Sequence, residues 1–168
     1  YRYGDLPVLE NISMTVQPGE FVSILGPSGS GKSTLFRLLT GAITTHTGTT
    51  EFDGKPLTEA GRPFAFMPQR DALMPWRKIL DNTTLGLEVQ GIGRKQARRR
   101  VVPLFAEFGL EGFEDNYPAQ LSGGMRQRAA LLRTVVQDKP MLLLDEPFGA
   151  LDALTRAGMQ RWLEAMGE

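Results

Sequence analysis

Phe21-Val22-Ser23-Ile24-Leu25-Gly26-Pro27-Ser28-Gly29-Ser30-Gly31-Lys32-Ser33-Thr34 reads as an apolar strand, a glycine-rich loop and the opening of a helix. Gly26, Gly29 and Gly31 let the backbone turn and come close to an anion, so that consecutive N–H groups face one concavity. The helix that follows, with Leu35-Phe36-Arg37-Leu38-Leu39 in its first turns, presents its unpaired N-terminal N–H groups to the same place. Lys32 adds a full positive charge, and the Ser33 hydroxyl stands where it can ligate Mg²⁺. Residues Gly26, Pro27, Ser28, Gly29, Ser30, Gly31, Lys32, Ser33 and Thr34 are therefore candidate polyphosphate-binding residues. The pattern G-x-x-x-x-G-K-[ST] occurs in unrelated turns as well; the strand before it and the helix after it supply the context that points to a nucleotide.

The remaining composition bounds the answer. With 168 residues and an apolar fraction of 41%, the chain is long enough for one domain with a real core. Lys plus Arg equals Asp plus Glu at 19 each, so no global field draws the protein to nucleic acid or to an anionic membrane. The absence of Cys excludes disulfides, thiolate metal sites and cysteine nucleophiles from these residues and fits a reducing compartment. No apolar run approaches the roughly 18 residues that cross a bilayer. The chain does not begin with Met and stops at Glu168, directly after a helical-looking stretch, Ala153 to Met166. Both ends read as cut, and the expectation is a fragment of a longer domain.

Short apolar runs alternate with helical periodicity, which predicts an α/β fold. Phe21–Leu25 and Met141–Leu144 are expected to be central strands covered on both faces. Shorter strands are expected at Thr49–Phe52, before the Asp53-Gly54 turn signal, and at Phe64–Met67. Helices are expected at Ser33–Leu39, Arg94–Phe108 with an interruption at Pro103, Ser122–Gln137 and Ala153–Met166. The stretch from about Asp71 to Tyr117 reads as a helical insertion between two strands of one nucleotide-binding core.

Met141-Leu142-Leu143-Leu144-Asp145-Glu146-Pro147 places two acids at the exit of a strand, where ligands gather at the carboxyl edge of parallel sheets. Asp145 suits a Mg²⁺-holding acid and Glu146 a general base that polarises an attacking water. A solvated acidic turn ending in Pro is the alternative. Leu121-Ser122-Gly123-Gly124-Met125-Arg126-Gln127 opens another helix with a hydroxyl and two glycines, a second anion site.

That stretch resembles the LSGGQ signature of ATP-binding cassette (ABC) ATPases, and other motifs fall in that family's order. Gln69, after Phe64-Ala65-Phe66-Met67-Pro68, is similar to the Q-loop glutamine that reaches Mg²⁺ or the attacking water. Leu151-Asp152 is similar to the D-loop, and Tyr3 to the aromatic residue that stacks on adenine, with Tyr1 a weaker candidate. The resemblance, which covers Tyr3 to about Arg161, implies a P-loop NTPase core of the ABC type spanning residues 1–168. It places a helical subdomain, residues 71–117, between the Q-loop and the signature. It implies ATP and Mg²⁺ as ligands, with Lys32, Gln69 and Glu146 catalytic, Ser33, Gln69 and Asp145 on the metal, and Tyr3, the loop residues, Ser122, Gly123 and Gly124 on nucleotide. A head-to-tail dimer follows, in which the signature of one subunit closes over ATP held by the other. The family's switch histidine belongs on a strand after the D-loop helix, and these residues are expected to end before it; His46, in a loop ahead of the Q-loop, cannot take its place, so these residues alone are expected to turn over little ATP.

Met74-Pro75-Trp76-Arg77-Lys78-Ile79-Leu80-Asp81-Asn82 and Phe148-Gly149-Ala150-Leu151-Asp152-Ala153-Leu154-Thr155-Arg156 resemble the nitrate/sulfonate/taurine branch of importers, which includes relatives handling thiamine-precursor pyrimidines. That implies transmembrane permease subunits as partners, a solute-binding protein indirectly, and a peripheral place at the cytoplasmic face of the membrane. Trp76 and Arg77 suit a docking face, and Trp76 equally suits a core. Arg94, Lys95, Arg98, Arg99 and Arg100 read as a solvated helix face, with Val101, Val102 and Leu104 on the apolar side, and no nucleic-acid partner is expected. A soluble ABC-type ATPase acting on nucleic acid or ribosomes is the alternative function; the heptad arms or second cassette of such relatives are not seen in these residues. Trp162 and the last methionines read as packing.

Overall fold

The structure, a computed structural model, describes residues 1–44 and 46–147. It divides into two units, Tyr1–Pro63 and the part from Phe64 onward.

In the first unit, β1 (Arg2–Tyr3) and β2 (Leu6–Pro7) form an antiparallel hairpin, α1 (Lys32–Leu39) follows the glycine-rich loop, and β3 (Glu51–Phe52) pairs antiparallel with β4 (Lys55–Pro56). Asp53 and Gly54 join the last two with φ of 51° and 72°, the pair of positive values that a tight hairpin turn requires. The strand expected from Thr49 is thus reduced to its last two residues. The expectation of a buried strand at Phe21–Leu25 is overturned. Among the described residues that run has no ladder partner, and Phe21 and Leu25 are 65% and 85% exposed. An apolar run demands cover, but a strand exists only where a neighbour supplies its hydrogen bonds, and both sheets of this unit are closed two-residue hairpins.

In the second unit, β5 (Phe64–Met67) and β6 (Met141–Leu144) pair in parallel, in register from Phe64 opposite Met141 to Met67 opposite Leu144. A parallel pair needs a long crossover, and this one carries α2 (Ile79–Thr83), α3 (Leu85–Val89), α4 (Arg94–Val101) and α5 (Gly123–Val135). The first three of these helices lie between Gln69 and Ser122, where the sequence predicts a helical insertion. The helix expected from Arg94 to Phe108 stops at Val101 and tightens into a 3-10 turn at Val102–Leu104, because Pro103 cannot donate to the α-helical ladder. Val102 consequently faces outward rather than joining the apolar side. Met67, Ile79, Leu87, Phe105, Leu131 and Leu132 belong to one buried cluster, so β5, the small helices and α5 share a core.

Two polar residues in that core shape the helices. Asn82 is fully buried, its Oδ1 accepting from the Met74 N–H at 2.7 Å and its Nδ2 donating to the carbonyls of Met74 and Arg77 at 3.1 and 3.0 Å. One amide thereby satisfies the turn that leads into α2. Asp81, one residue earlier and 8% exposed, receives Arg94 at 2.9 Å and Arg98 at 2.7 Å, so part of the basic cluster is a tether of α4 to α2. Burial works against the Asp81 carboxylate, but the hydrogen bonds from Arg98 and Arg94 outweigh it and hold its pKa below the ordinary 3.8.

A lowered folded-state value means stability that is complete above the unfolded value and fades as pH falls through the folded one. Asp81→Asn is therefore expected to lower unfolding stability at neutral pH by about 1 to 2 kcal/mol, a charge-assisted bond discounted for the exposed arginine ends. Denaturant titration should find the difference between the two proteins closing below pH 3.8.

Candidate functional site

The glycine-rich loop belongs to the first unit. Ser30 N–H donates to the Pro27 carbonyl at 3.1 Å, turning the chain, and Gly31, with φ of 95°, forms the N-cap of α1. A Cβ on Gly31 would lie 2.9 Å from Leu9 Cδ2 and 3.1 Å from the Val8 carbonyl, so only glycine fits there on both counts. A Cβ on Gly26 would strike Ser30 Oγ at 2.7 Å. Lys32 folds back across the loop, its Nζ donating to the Gly26 carbonyl, to Pro27 O at 2.9 Å and to Ser30 Oγ at 3.2 Å. The ammonium thus sits over the concavity, where an anion would draw it from neutral carbonyls to full charges. Thr34 is buried and Ser33 exposed at the start of α1. Tyr3, half-exposed, has its ring edge-on to Tyr1 at 4.9 Å, and its hydroxyl accepts from Arg37 at 2.9 Å. Sequence reasoning missed Arg37, which one exposed basic residue in the last turn of α1 did not announce. His46 lies exposed in its loop, as expected.

The second unit brings together residues that are far apart in sequence. Gln69 follows β5 by two residues and Glu146 follows β6 by two, so the parallel register delivers both to one edge. Gln69 Nε2 donates to Glu146 Oε2 at 2.7 Å. Asp145 N–H continues the ladder to the Met67 carbonyl at 2.9 Å, and Asp145 is 6% exposed. Glu146 adopts φ of 49°, the left-handed region that L-residues avoid. An acidic turn held only by solvent would lack both the ladder bond and the glutamine partner. Among the described residues no three His, Cys, Asp or Glu side chains gather as a metal cluster. Mg²⁺ does not require one, since one or two carboxylates with phosphate oxygens suffice; the Ser33 hydroxyl in the first unit and the Asp145 carboxylate in the second are each a hard oxygen donor.

Ser122 is the N-cap of α5, its hydroxyl accepting from the Met125 N–H at 3.2 Å. The following glycines are not there for packing. A Cβ on Gly123 would find only Arg126 at 3.9 Å, and one on Gly124 only Arg128 at 3.8 Å, ordinary contacts in both cases. Neither has a positive φ. Among the described residues nothing else beyond the adjoining chain lies within 4 Å of either position.

Trp76 is 73% exposed, which settles against a core role for it, and its neighbour Arg77 pairs with Glu88 at 3.7 Å. Among the described residues no helix is long and apolar enough to cross a membrane. Leu151, Asp152, Trp162 and the expected helix Ala153–Met166 lie outside the described residues.

Comparison with known proteins gives a consistent result. A family model described as ABC transporter matches residues 9–149. The chain is 49% identical over 164 residues to the aliphatic sulfonates import ATP-binding protein SsuB 1 of Rhodococcus jostii, covering 98% of this chain and 63% of that protein. It is 48% identical over 162 residues to the formylaminopyrimidine import ATP-binding protein ThiZ of Halalkalibacterium halodurans, covering 96% and 63%. The chain thus spans less than two thirds of the length of these relatives. Among solved structures it resembles the dimeric post-hydrolysis state of the ATP-binding cassette MJ0796 bound to ADP and Pi, with a TM-score of 0.79 and 31% identity, over 96% of this chain and 75% of that one. With its glycine-rich loop, its acid-bearing strand end and its serine-capped α5 in one order along an α/β fold, the chain belongs to the ABC transporter family.

Proposed function

We propose that the chain is the greater part of the ATP-binding and ATP-hydrolysing subunit that powers a membrane importer of a small solute, of the sulfonate or related class. The observation that carries the hydrolytic part is the Gln69–Glu146 contact, 2.7 Å across a sequence gap of 77 residues. A carboxylate held by an amide at the edge of a parallel pair is where phosphate chemistry is done in such folds.

Residues 1–168 then belong to one ATPase domain, with 71–117 its helical part. The loop Gly26–Thr34 holds the triphosphate of ATP by its amides and by Lys32, and Tyr3 stacks on the adenine. Mg²⁺ would be held by Ser33, Asp145 and Gln69 and supplies neutralisation of the phosphate charge. Glu146 takes the proton of the attacking water, and Gln69 orients both. The open helix start at Ser122, Gly123 and Gly124 suits the nucleotide of a second copy, because glycines with neither backbone nor packing demand are explained by an approaching ligand. Partner permease subunits would receive the resulting closure as movement, and exposed Trp76 is the anchor best suited to them. A solute-binding protein would act on the far side, and the peripheral site of action is the cytoplasmic membrane face.

The names of the relatives favour this reading over a soluble ATPase on nucleic acid or ribosomes. Affinity capture of the intact protein from solubilised membranes is expected to recover a polytopic membrane protein and MgATP hydrolysis together. Recovery of ribosomes or DNA with no membrane protein would reverse it.

A further inference from the structure

The turn that carries Gln69 is gripped by α5 through three donors to which the motif reading gives no role. Gln127 Nε2 donates to the Gln69 carbonyl at 3.3 Å. Arg126 Nε donates to Asp71 Oδ2 at 3.3 Å while its other nitrogen holds the Leu121 carbonyl, next to Ser122, at 3.0 Å. Arg133, two turns further along the helix, donates to the backbone carbonyls of Asp71 at 2.6 Å and Ala72 at 2.9 Å. Asp71 closes the turn on itself by accepting from the Leu73 N–H at 3.1 Å, and Ala72 is bent to φ of 50°. Burial pulls the Arg133 pKa down, opposed by the Asp71 charge. An arginine stays protonated under such a shift, and a half-buried cation bonds its carbonyls strongly.

The helix is anchored by the core, with Ala129 and Ala130 on the same face as Arg126 and Arg133, Leu131 and Leu132 on the rest of its circumference, and all four fully buried. The helix is therefore rigid, and the turn has no path away from it without breaking several bonds to charged donors. An L-alanine at positive φ persists only where its surroundings enforce it, and Arg133 on its own carbonyl is that enforcement.

We propose that Arg133 and Arg126 are positioning residues, which clamp the Gln69 turn to α5, hold the Gln69 amide at Glu146 and make the Ser122 helix start and that amide one mechanical piece. The catalytic part of this rests on the function proposed above; the clamp itself does not. Loss of Arg133 would leave the Gln69 turn held by the long Arg126–Asp71 pair and the weaker Gln127 contact, and a shift of about 1 Å in a group that orients a reacting water costs up to a hundredfold in rate.

The test uses the intact full-length protein. In Arg133→Met, amide hydrogen exchange at Leu73 and its neighbours is expected to quicken, kcat for ATP to fall by about ten- to a hundredfold, and KM to stay within about threefold. Arg133→Lys, which can reach only one carbonyl at a time, is expected to recover part of both protection and kcat. Arg126→Met leaves the half-buried Arg133 in place and keeps the question open to measurement should Arg133→Met fail to fold; it is expected to lower kcat and protection in the same direction. Unchanged exchange in a folded variant would overturn the clamp. Faster exchange with wild-type kcat would overturn its catalytic role, as would a rise in KM with kcat retained. A wild-type protein that binds and hydrolyses no ATP would count against the proposed function, and the exchange comparison would still decide the clamp.

Discussion

Glu146→Gln, in the full-length protein, is expected to lower ATP turnover by on the order of a hundred- to ten-thousandfold while MgATP binding survives. The amide is isosteric with the carboxylate, so the hydrogen bond to Gln69, now 2.7 Å, can be kept by a carbonyl oxygen in place of the carboxylate oxygen. What is lost is the proton acceptor alone. With hydrolysis blocked and nucleotide bound, the closed dimer should accumulate, and size-exclusion chromatography with MgATP is the measurement. Steady-state hydrolysis equal to that of the wild type would remove Glu146 from the mechanism. Loss of nucleotide binding would instead assign it to the ligand pocket.

Lys32→Ala acts earlier, on binding. Its ammonium rests on the Gly26 and Pro27 carbonyls and on Ser30 Oγ, all of them exposed, so its removal uncovers no buried polar atom. Thermal unfolding is therefore expected to change by no more than about 0.5 kcal/mol. ATP affinity should fall by roughly 2 to 4 kcal/mol, the loss of one preorganised charge facing the phosphates. Calorimetric titration separates the two quantities. A variant that binds MgATP as the wild type does would show the loop to be a structural turn.

Both residues can be proposed from the sequence because phosphate chemistry demands particular side chains at particular spacings, and the spacing survives in the letters. The strand Met141–Leu144 is legible because an apolar run of strand length ends abruptly in two carboxylates, although it is one of a two-stranded pair with only Leu143 buried rather than the central strand covered on both faces that its letters suggest. The same logic fails at Phe21–Leu25. Its letters say that it is apolar on both faces, but no letter says which segment pairs with it, and among the described residues the sheets of the first unit are closed hairpins.

Contacts between distant segments are the least legible. The Asp81 pair with Arg94 and Arg98 is hinted at by two arginines four apart on one helix face, but the acid lies on another helix. The bonds of Arg133 to Asp71 and Ala72 have no signal at all in sequence, because they end on backbone carbonyls, which every residue carries. Roles in catalysis are set by side-chain type and can be read from motifs. The apparatus that steadies those side chains is built largely from main chain and has to be seen.

Glu146 sits in the left-handed region at φ of 49°, where an L-residue costs roughly 1 to 2 kcal/mol relative to glycine. A chain selected for thermal endurance alone would hold glycine there, and Glu146→Gly would relax that bend at the expense of the acid. The discomfort at this position fits the role proposed for Glu146, in which a locally poorer fold is tolerated so that a carboxylate can stand at the rim of the parallel strands.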